Sequence, residues 1–265
     1  MSNFKSHGSH LSVGSFNVGG FKCRPAKVPK VFELTKNIDI LFLQETHFYK
    51  ISDTLYFNQV FEEKFLIFHS LAPCRNTGTT FLLSRNFSIK NVVKVFEIDG
   101  RCLAFKIFIG KYIFMVVGIY APAKATQRPQ FFDKLFEKIE ETLSFSDVII
   151  LGDFNCVENP LLDRFPKKRN YSEPGILNFL RIKNSFYLED VFRHANPESE
   201  LYTFSSFRNS FSRIDRVYAS HSLVEKYVST KVYMYSVTQH KLLVSNFTIS
   251  ADKKFEPSFW KMNTL

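Results

Sequence analysis

Val148-Ile149-Ile150-Leu151-Gly152-Asp153-Phe154-Asn155 is the stretch on which the reading of this chain turns. Four apolar residues in a row, stopped by a glycine, describe a strand buried on both faces. Residues one apart on an extended chain point the same way, so the Asp153 carboxylate and the Asn155 carboxamide are expected to leave the strand end together. A carboxylate takes a metal or a proton, and a carboxamide donates and accepts, so the pair suits a nucleophilic water. An Asp/Asn turn after a core strand is the bland alternative. Other segments of the chain argue against it.

The same alternation and short apolar runs predict strands at Leu11–Val18, Ile38–Gln44, Thr79–Leu83, Val92–Phe96, Leu103–Ile109, Tyr112–Tyr120, Val148–Leu151, Arg213–Tyr218 and Leu242–Thr248. Helical periodicity is rarer, at Lys27–Lys36, Pro129–Leu143 and Pro174–Lys183. The second of these lines up Phe132, Leu135, Phe136, Ile139 and Leu143 on one stripe with charges opposite. Many short strands with a few interspersed helices imply an α+β fold in which helices cover two packed sheets. No linker interrupts 11–250, which reads as one domain. Residues 1–10 read as a flexible N-terminal tail and 251–265 as a polar extension.

With 265 residues, 45% hydrophobic and 23% charged, the chain is long enough for one large core. The 31 phenylalanines are spread along it and read as core. No apolar run reaches the roughly 18 residues of a membrane span, and the polar start lacks the apolar segment of a secretory signal; no membrane partner is expected. Cys23, Cys74, Cys102 and Cys156 are scattered without a C-x-x-C pair, as in a reduced protein and not a disulfide scaffold. Cys156 is assigned to the core. The net charge of +10 favours polyanionic partners, nucleic acid first, against the alternative of a merely solvated basic surface.

Five further segments put polar groups where apolar runs stop. Ser15-Phe16-Asn17 ends in an amide, Leu43-Gln44-Glu45-Thr46-His47 in a carboxylate, and Gly118-Ile119-Tyr120-Ala121-Pro122 in a phenol. Ser212-Arg213-Ile214-Asp215-Arg216 sets charge in an apolar strand, and Val237-Thr238-Gln239-His240 precedes the last one. If these ends converge, the cleft can hold a hard divalent cation through oxygens, orient a water and meet phosphate oxygens.

The ordered series S-F-N, L-Q-E-T, G-I-Y-A-P, G-D-F-N, S-R-I-D-R-V-Y and a late His resembles the endonuclease/exonuclease/phosphatase superfamily. Within it the chain looks most like the apurinic-like endonuclease of LINE-type (non-LTR) retrotransposons. Three details carry that finer likeness: Leu161-Leu162-Asp163-Arg164 after G-D-F-N, the run Leu201-Tyr202-Thr203-Phe204-Ser205 leading through a short loop into S-R-I-D, and Phe259-Trp260-Lys261-Met262-Asn263-Thr264-Leu265. The last resembles the W-K-x-N segment that joins such an endonuclease to a reverse transcriptase, which makes 251–265 a linker in a longer polyprotein. The resemblance implies a four-layer α/β/β/α sandwich of two packed mixed sheets flanked by helices.

It also implies roles. Asn17, Glu45, Tyr120, Asp153, Asn155, Asp215 and His240 form the catalytic set. Mg²⁺ (Mn²⁺ as substitute) is held among Glu45, Asn17, Asp153, Asn155 and Gln239. Asp153 positions or deprotonates water, Asn155 orients it and the scissile phosphate, Tyr120 donates toward developing charge, and Asp215 steadies a charged His240. His47 and His69 are expected to be structural or exposed. For duplex DNA the expected contacts are Arg164, Thr203, Ser205, Arg208 and Asn209 of a DNA-reading hairpin, and Lys167 and Lys168 (with Arg169) outside the cleft. The implied activity is nicking of one strand to leave a 3′-hydroxyl that primes target-primed reverse transcription in the nucleus. The partners are then double-stranded DNA, the polyprotein's reverse transcriptase and, indirectly, element RNA. An abasic-site or other phosphoesterase, and a catalytically weakened DNA-targeting module, remain alternatives. The last is prompted by Gln239, where the superfamily usually has Asp; weaker Mg²⁺ binding is expected.

Overall fold

Phe42 lies face-on against bare backbone: a Cβ added to Gly118 would come within 2.2 Å of its ring. This contact sits where two sheets of the structure, a computed structural model, meet. Residues 9–21, 24–87, 91–109, 112–142, 147–168, 172–236 and 238–249 are described. In chain order the strands are β1 (Ser9–Asn17), β2 (Ile40–Gln44), β3 (Phe65–Ser70), β4 (Thr79–Ser84), β5 (Asn91–Ile98), β6 (Cys102–Ile109), β7 (Tyr112–Tyr120), β8 (Asp147–Asp153), β9 (Arg164–Phe165), β10 (Leu188–Asp190), β11 (Phe204–Ser205), β12 (Phe211–Ser212), β13 (Asp215–Ser220), β14 (Tyr227–Tyr233) and β15 (Leu242–Ile249). The helices are α1 (Lys27–Thr35), α2 (Leu55–Phe61), α3 (Arg128–Thr142), α4 (Ile176–Ser185), α5 (Val191–Ala195) and α6 (His221–Val224).

One six-stranded sheet runs β14-β15-β1-β2-β4-β3 and the other β10-β13-β8-β7-β6-β5. Each is antiparallel except for one pair, β1 with β2 and β7 with β8. Leu11, Ile40, Phe42 and Phe81 of the first sheet interdigitate with Phe105, Val116, Ile149, Leu151 and Val217 of the second. Large apolar side chains like these each contribute roughly 1.5–3 kcal/mol on burial. On the outer faces, Val28 and Val31 of α1 and Phe57 and Phe61 of α2 cover Leu41, Leu43 and Leu82. Phe132, Leu135 and Ile139 of α3, with Phe179 and Ile182 of α4, cover Met115, Val117 and Ile150. The result is the four-layer α/β/β/α sandwich. A small third sheet, β11-β12-β9, stands apart from both.

Some boundaries differ from the expected ones. Ser9 and His10, assigned to the tail, already pair with Ile249 and Thr248 within β1. The strand expected from Arg213 begins at Asp215, because Arg213 turns inward to buried carboxylates. Strands β3, β9, β10 and β14 and helices α2, α5 and α6 have no counterpart among the expected elements. The 251–265 segment, with its W-K-M-N run, lies outside the described residues, as do Leu143, Arg169 and Cys23. Among the described residues, Cys74, Cys102 and Cys156 are free thiols, and no helix is long and apolar enough to cross a membrane.

Candidate active site

The site is built where β1, β2, β7 and β8 end and where β13 and β15 begin. The Asn17 amide spans the two sheets: its Nδ2 donates to Glu45 Oε1 at 2.9 Å and to Asp153 Oδ2 at 3.0 Å. Tyr120 crosses in the other direction, its hydroxyl donating to Glu45 Oε1 at 2.7 Å. Asp215 lies directly opposite Asp153 in the β8–β13 ladder. His240 shares a hydrogen bond through Nδ1 with Asp215 Oδ2 at 3.0 Å, and its Nε2 is 3.8 Å from Asp153 Oδ2. Thus the structure brings together Asn17, Glu45, Tyr120, Asp153, Asp215 and His240.

Backbone conformation sets these positions. Gly152 has φ +147°, and a Cβ there would sit 1.9 Å from the Ile119 carbonyl oxygen, so only glycine lets β8 lie this close to β7 before Asp153. Asn155 corrects the expectation of an extended pair. The strand ends at Asp153, and Asn155 turns left-handed at φ 50°. Its N–H then donates back to Asp153 Oδ1 at 2.9 Å, while its Nδ2 donates to the Ala121 carbonyl at 2.8 Å. Glu45 and His47 are also left-handed, at φ 53° and 58°. Non-glycine residues held this way cost roughly 1–3 kcal/mol each and persist where surrounding structure enforces them.

Burial and charge give the site its electrostatics. Burial, then the adjacent Asp215 carboxylate, push Asp153 up to about 7, against the opposing pull of His240, Asn17 and the Asn155 N–H. Burial would lower His240, but Asp215 first and Asp153 next raise it to about 9. Burial would likewise raise Glu45, yet His47, Asn17 and Tyr120 outweigh it and hold the carboxyl below its ordinary value. Burial and then Glu45 drive the Tyr120 phenol far upward, so it stays a donor.

Both central shifts have the same sign for stability. His240 binds its proton more tightly when folded, so its contribution is full below its ordinary 6.5 and is lost as pH rises through about 9. Asp153 is also raised, so its contribution is present below 3.8 and is lost as pH rises through about 7. In metal-free protein the His240 imidazole, followed by NMR, is expected to titrate near 9, and Asp215→Asn to bring it back toward 6.5. A wild-type midpoint near 6.5 would contradict the dyad's electrostatics.

The donor set fits a divalent cation. Asp153 and Asp215 offer carboxylate oxygens within 4.8 Å of one another, and Asp153 is pushed upward by burial and then by this like charge, which a cation relieves; His240, held charged, is not among the ligands. Glu45 adds a further hard oxygen beside them. Two expected ligands fit less well. The Asn17 amide spends its donors on Glu45 and Asp153 while its oxygen accepts from Gly19 N–H at 3.1 Å, so it positions carboxylates. Gln239 is fixed by its backbone, whose carbonyl accepts from Ser205 N–H at 3.1 Å.

Three residues near the site were set aside or unseen in the sequence. His47, expected to be structural or exposed, places Nε2 3.5 Å from Glu45 Oε2, at the outer limit of a hydrogen bond. Lys27 is buried beneath the Asn17–Gly19 turn and donates to the Val18 carbonyl. Its ammonium is lowered to about 8 by burial and Arg24, against Glu45. Arg101 lies over the Tyr120 ring, 5.2 Å from its centroid. Its only sequence signal was charge at a strand start. Cys156 is buried with its thiol pushed up by burial, and carries the core role assigned to it. His69 is a half-buried histidine bonded to Thr80 and Asn58.

The expected DNA-contact residues divide. Thr203 is fully buried, its hydroxyl accepting from Ile214 and Asp215 N–H at 3.2 and 3.0 Å, so it aligns the start of β13 and does not face solvent. Arg164 pairs with Glu173 at 2.9 Å and Lys167 with Glu200 at 2.7 Å, which leaves part of their charge committed. Ser205 is half-buried, while Lys168, Arg208 and Asn209 are exposed, the last two at the tip of the β11–β12 hairpin.

Two packed mixed sheets with carboxylates, amides, a phenol and an imidazole meeting at one rim define a hydrolytic sandwich enzyme. The chain belongs to the Endonuclease/Exonuclease/phosphatase family, whose sequence pattern it matches over residues 14–233. It is similar to the transposon TX1 uncharacterized 149 kDa protein of Xenopus laevis, 27% identical over 259 residues, covering 96% of this chain and 19% of that protein. The chain thus spans about a fifth of that relative's length. Among solved structures it is similar to the AP endonuclease of Leishmania major (TM-score 0.73, 18% identity, 90% of this chain and 88% of that one). It is also similar to a 3′-5′ exonuclease of Neisseria meningitidis (TM-score 0.73, 18% identity, 90% and 100%). At these identities the likeness is one of fold.

Proposed function

We propose that this chain is a Mg²⁺-dependent endonuclease that nicks one strand of double-stranded DNA and leaves a 3′-hydroxyl. On this reading it serves a LINE-type retrotransposon in the nucleus. The 3′-hydroxyl primes reverse transcription of element RNA by a reverse transcriptase of the same polyprotein. The observation that carries the chemistry is the Asn17 amide joining Glu45 to Asp153 beside the Asp215–His240 pair. The similarity to a transposon protein and the charge of +10 support the substrate.

A water placed by Asp153 and Asn155 attacks phosphorus in line and gives its proton to Asp153. The P–O3′ bond breaks and the departing O3′ takes a proton from solvent water, leaving 3′-hydroxyl and 5′-phosphate. His240, held charged by Asp215, meets a non-bridging phosphoryl oxygen as negative charge grows. Mg²⁺, which Glu45 and Asp215 would hold beside Asp153, would supply further neutralisation of that charge.

The test is conversion of supercoiled plasmid to open circle with and without Mg²⁺, with nick ends assayed for extension by a polymerase. Mg²⁺-dependent nicks that extend support the reading. Cleavage confined to abasic duplex, or binding without cleavage, overturns it. Gln239→Asp is expected to lower the Mg²⁺ concentration giving half-maximal nicking, by about threefold or more for one added carboxylate at a partly solvated site; an unchanged midpoint would show that position 239 lies outside the cation's reach.

A further inference from the structure

Tyr235 and Ser236, just past the end of β14, face the solvent side of α1, where Pro29, Lys30, Glu33 and Leu34 complete a groove of about 450 Å³. Its walls are mostly carbon: a proline ring, a leucine, a phenol ring and the stems of an exposed lysine and glutamate. Tyr235 is held in place from behind, its ring 6.5 Å from those of both Phe16 and Tyr233. Next to it Tyr233 and Met234 stand 40% and 76% exposed, so the apolar surface continues beyond the groove. Apolar surface gathered at a concave site marks a place of contact.

The chain carries an occupant of the right chemistry. Residues 251–265 contain Phe255, Phe259, Trp260, Met262 and Leu265, apolar groups for which the catalytic site has no use. They are also within reach. Tyr233, two residues before Tyr235, pairs with Leu242 at one end of β15, and Ile249 pairs with Ser9 at the other. The eight residues of β15 set these ends about 25 Å apart. Residues 250–259 span up to about 33 Å, so Phe259 and Trp260 can return the length of the strand and meet the groove. Tethering gives such a segment an effective concentration on the order of mM, so a contact too weak to join two molecules closes within one. We infer that the groove between α1 and Tyr235 is the docking site of this chain's own Phe259 and Trp260. The segment then runs back over the outer face of the first sheet, and the chain leaves the sandwich beside α1.

Trp260 is the single tryptophan of the chain, so indole fluorescence reads this segment alone. In the 265-residue protein the emission is expected to lie to the blue of that of the urea-unfolded protein, to resist quenching by acrylamide, and to be independent of protein concentration. Leu34→Lys puts an ammonium on the groove wall. It is expected to lower the ratio of docked to free segment about tenfold, as loss of one buried apolar side chain implies, and so to move the emission toward the unfolded position. Pro29→Glu is expected to move it the same way. Pro29 is exposed and lies in the first turn of α1, where an acid suits the helix end, so this variant decides the matter even if Leu34→Lys does not fold. Wild-type emission as red as that of the unfolded protein overturns the docking. So does blue emission that neither folded variant moves, or a blue shift that appears only as protein concentration rises, which would place a second copy in the groove.

Discussion

Asp153→Asn is expected to lose about 10³-fold in plasmid-nicking rate while its metal-free form melts at a higher temperature than wild type at pH 8. The rate loss follows from removing a general base that is hydrogen-bonded to Asn17 and the Asn155 N–H and therefore already placed. The gain in stability follows from the same burial. At pH 8 the wild-type carboxylate is ionised above its value near 7, beside Asp215 and without solvent. Replacing it with a neutral amide of the same shape removes that repulsion and desolvation, on the order of 1 kcal/mol, or roughly 2–4 °C for a chain of this size. The Asn oxygen can still accept from the Asn155 N–H, while its Nδ2 meets the Asn17 Nδ2 that donated to Asp153 Oδ2, which offsets part of the gain. At pH 5 wild-type Asp153 is protonated, so the variant's advantage should be lost. A variant that melts lower at pH 8, or that nicks within tenfold of wild type, refutes the assignment of Asp153 as a buried base held at a cost.

That trade-off also marks what could be read from the sequence. The carboxylates and amides were legible because each ends a strand of strong apolar pattern, and four of the strands end on the same rim of two packed sheets. The strand bounds Tyr112–Tyr120 follow directly from that pattern, and the expected Val148–Leu151 lies within the observed Asp147–Asp153. What pattern could not give was local conformation. Alternation along an extended chain puts Asn155 beside Asp153, but its left-handed turn redirects it to Ala121. A threonine before the hairpin reads as a DNA contact, but the Thr203 hydroxyl closes over two backbone N–H groups inside the protein. Lys27 gave no signal because a lysine at a helix start is ordinarily solvated; only the packed structure turns it onto Val18. The missed β14 is a half-exposed edge strand, Tyr227–Tyr233, whose polar alternation resembles a loop. Helix α2 is seven residues long and too short for periodicity to declare itself.

In sequence Arg213 is a charge inside an apolar strand; in the structure it holds buried carboxylates together. Arg213→Met is expected to destabilise the fold by about 3–5 kcal/mol in urea unfolding. The guanidinium grips Asp163 through Nε and Nη2 at 2.8 and 3.2 Å, and reaches Asp190 through Nη1 at 2.6 Å. All three residues are buried. Arg193 adds a second hold on Asp163 at 2.7 Å and ties down the carbonyls of Asn196, Pro197 and Ser199. Burial alone would raise Asp163, but Arg213 outweighs it and keeps the carboxyl below its ordinary value, so the acid is charged throughout the neutral range. Removing Arg213 therefore leaves Asp163 with Arg193 and the Asn159 N–H at 3.1 Å, and Asp190 with its helix-capping contact to the Arg193 N–H at 3.1 Å. A buried carboxylate stripped of its main counter-charge is the expensive outcome, whereas removing both charges is not. Arg213→Met combined with Asp163→Leu should accordingly recover a substantial part of the loss. Because Asp163 also accepts the Arg213 N–H through its carbonyl at 2.8 Å, β9 and the segment entering Asp215 stay linked in the double variant. It should therefore keep more nicking activity than Arg213→Met assayed at the same temperature. A single-variant loss under 1 kcal/mol, or a double variant less stable than Arg213→Met, would mean that these charges are not desolvated partners and that the lip carrying the hairpin is held by packing alone.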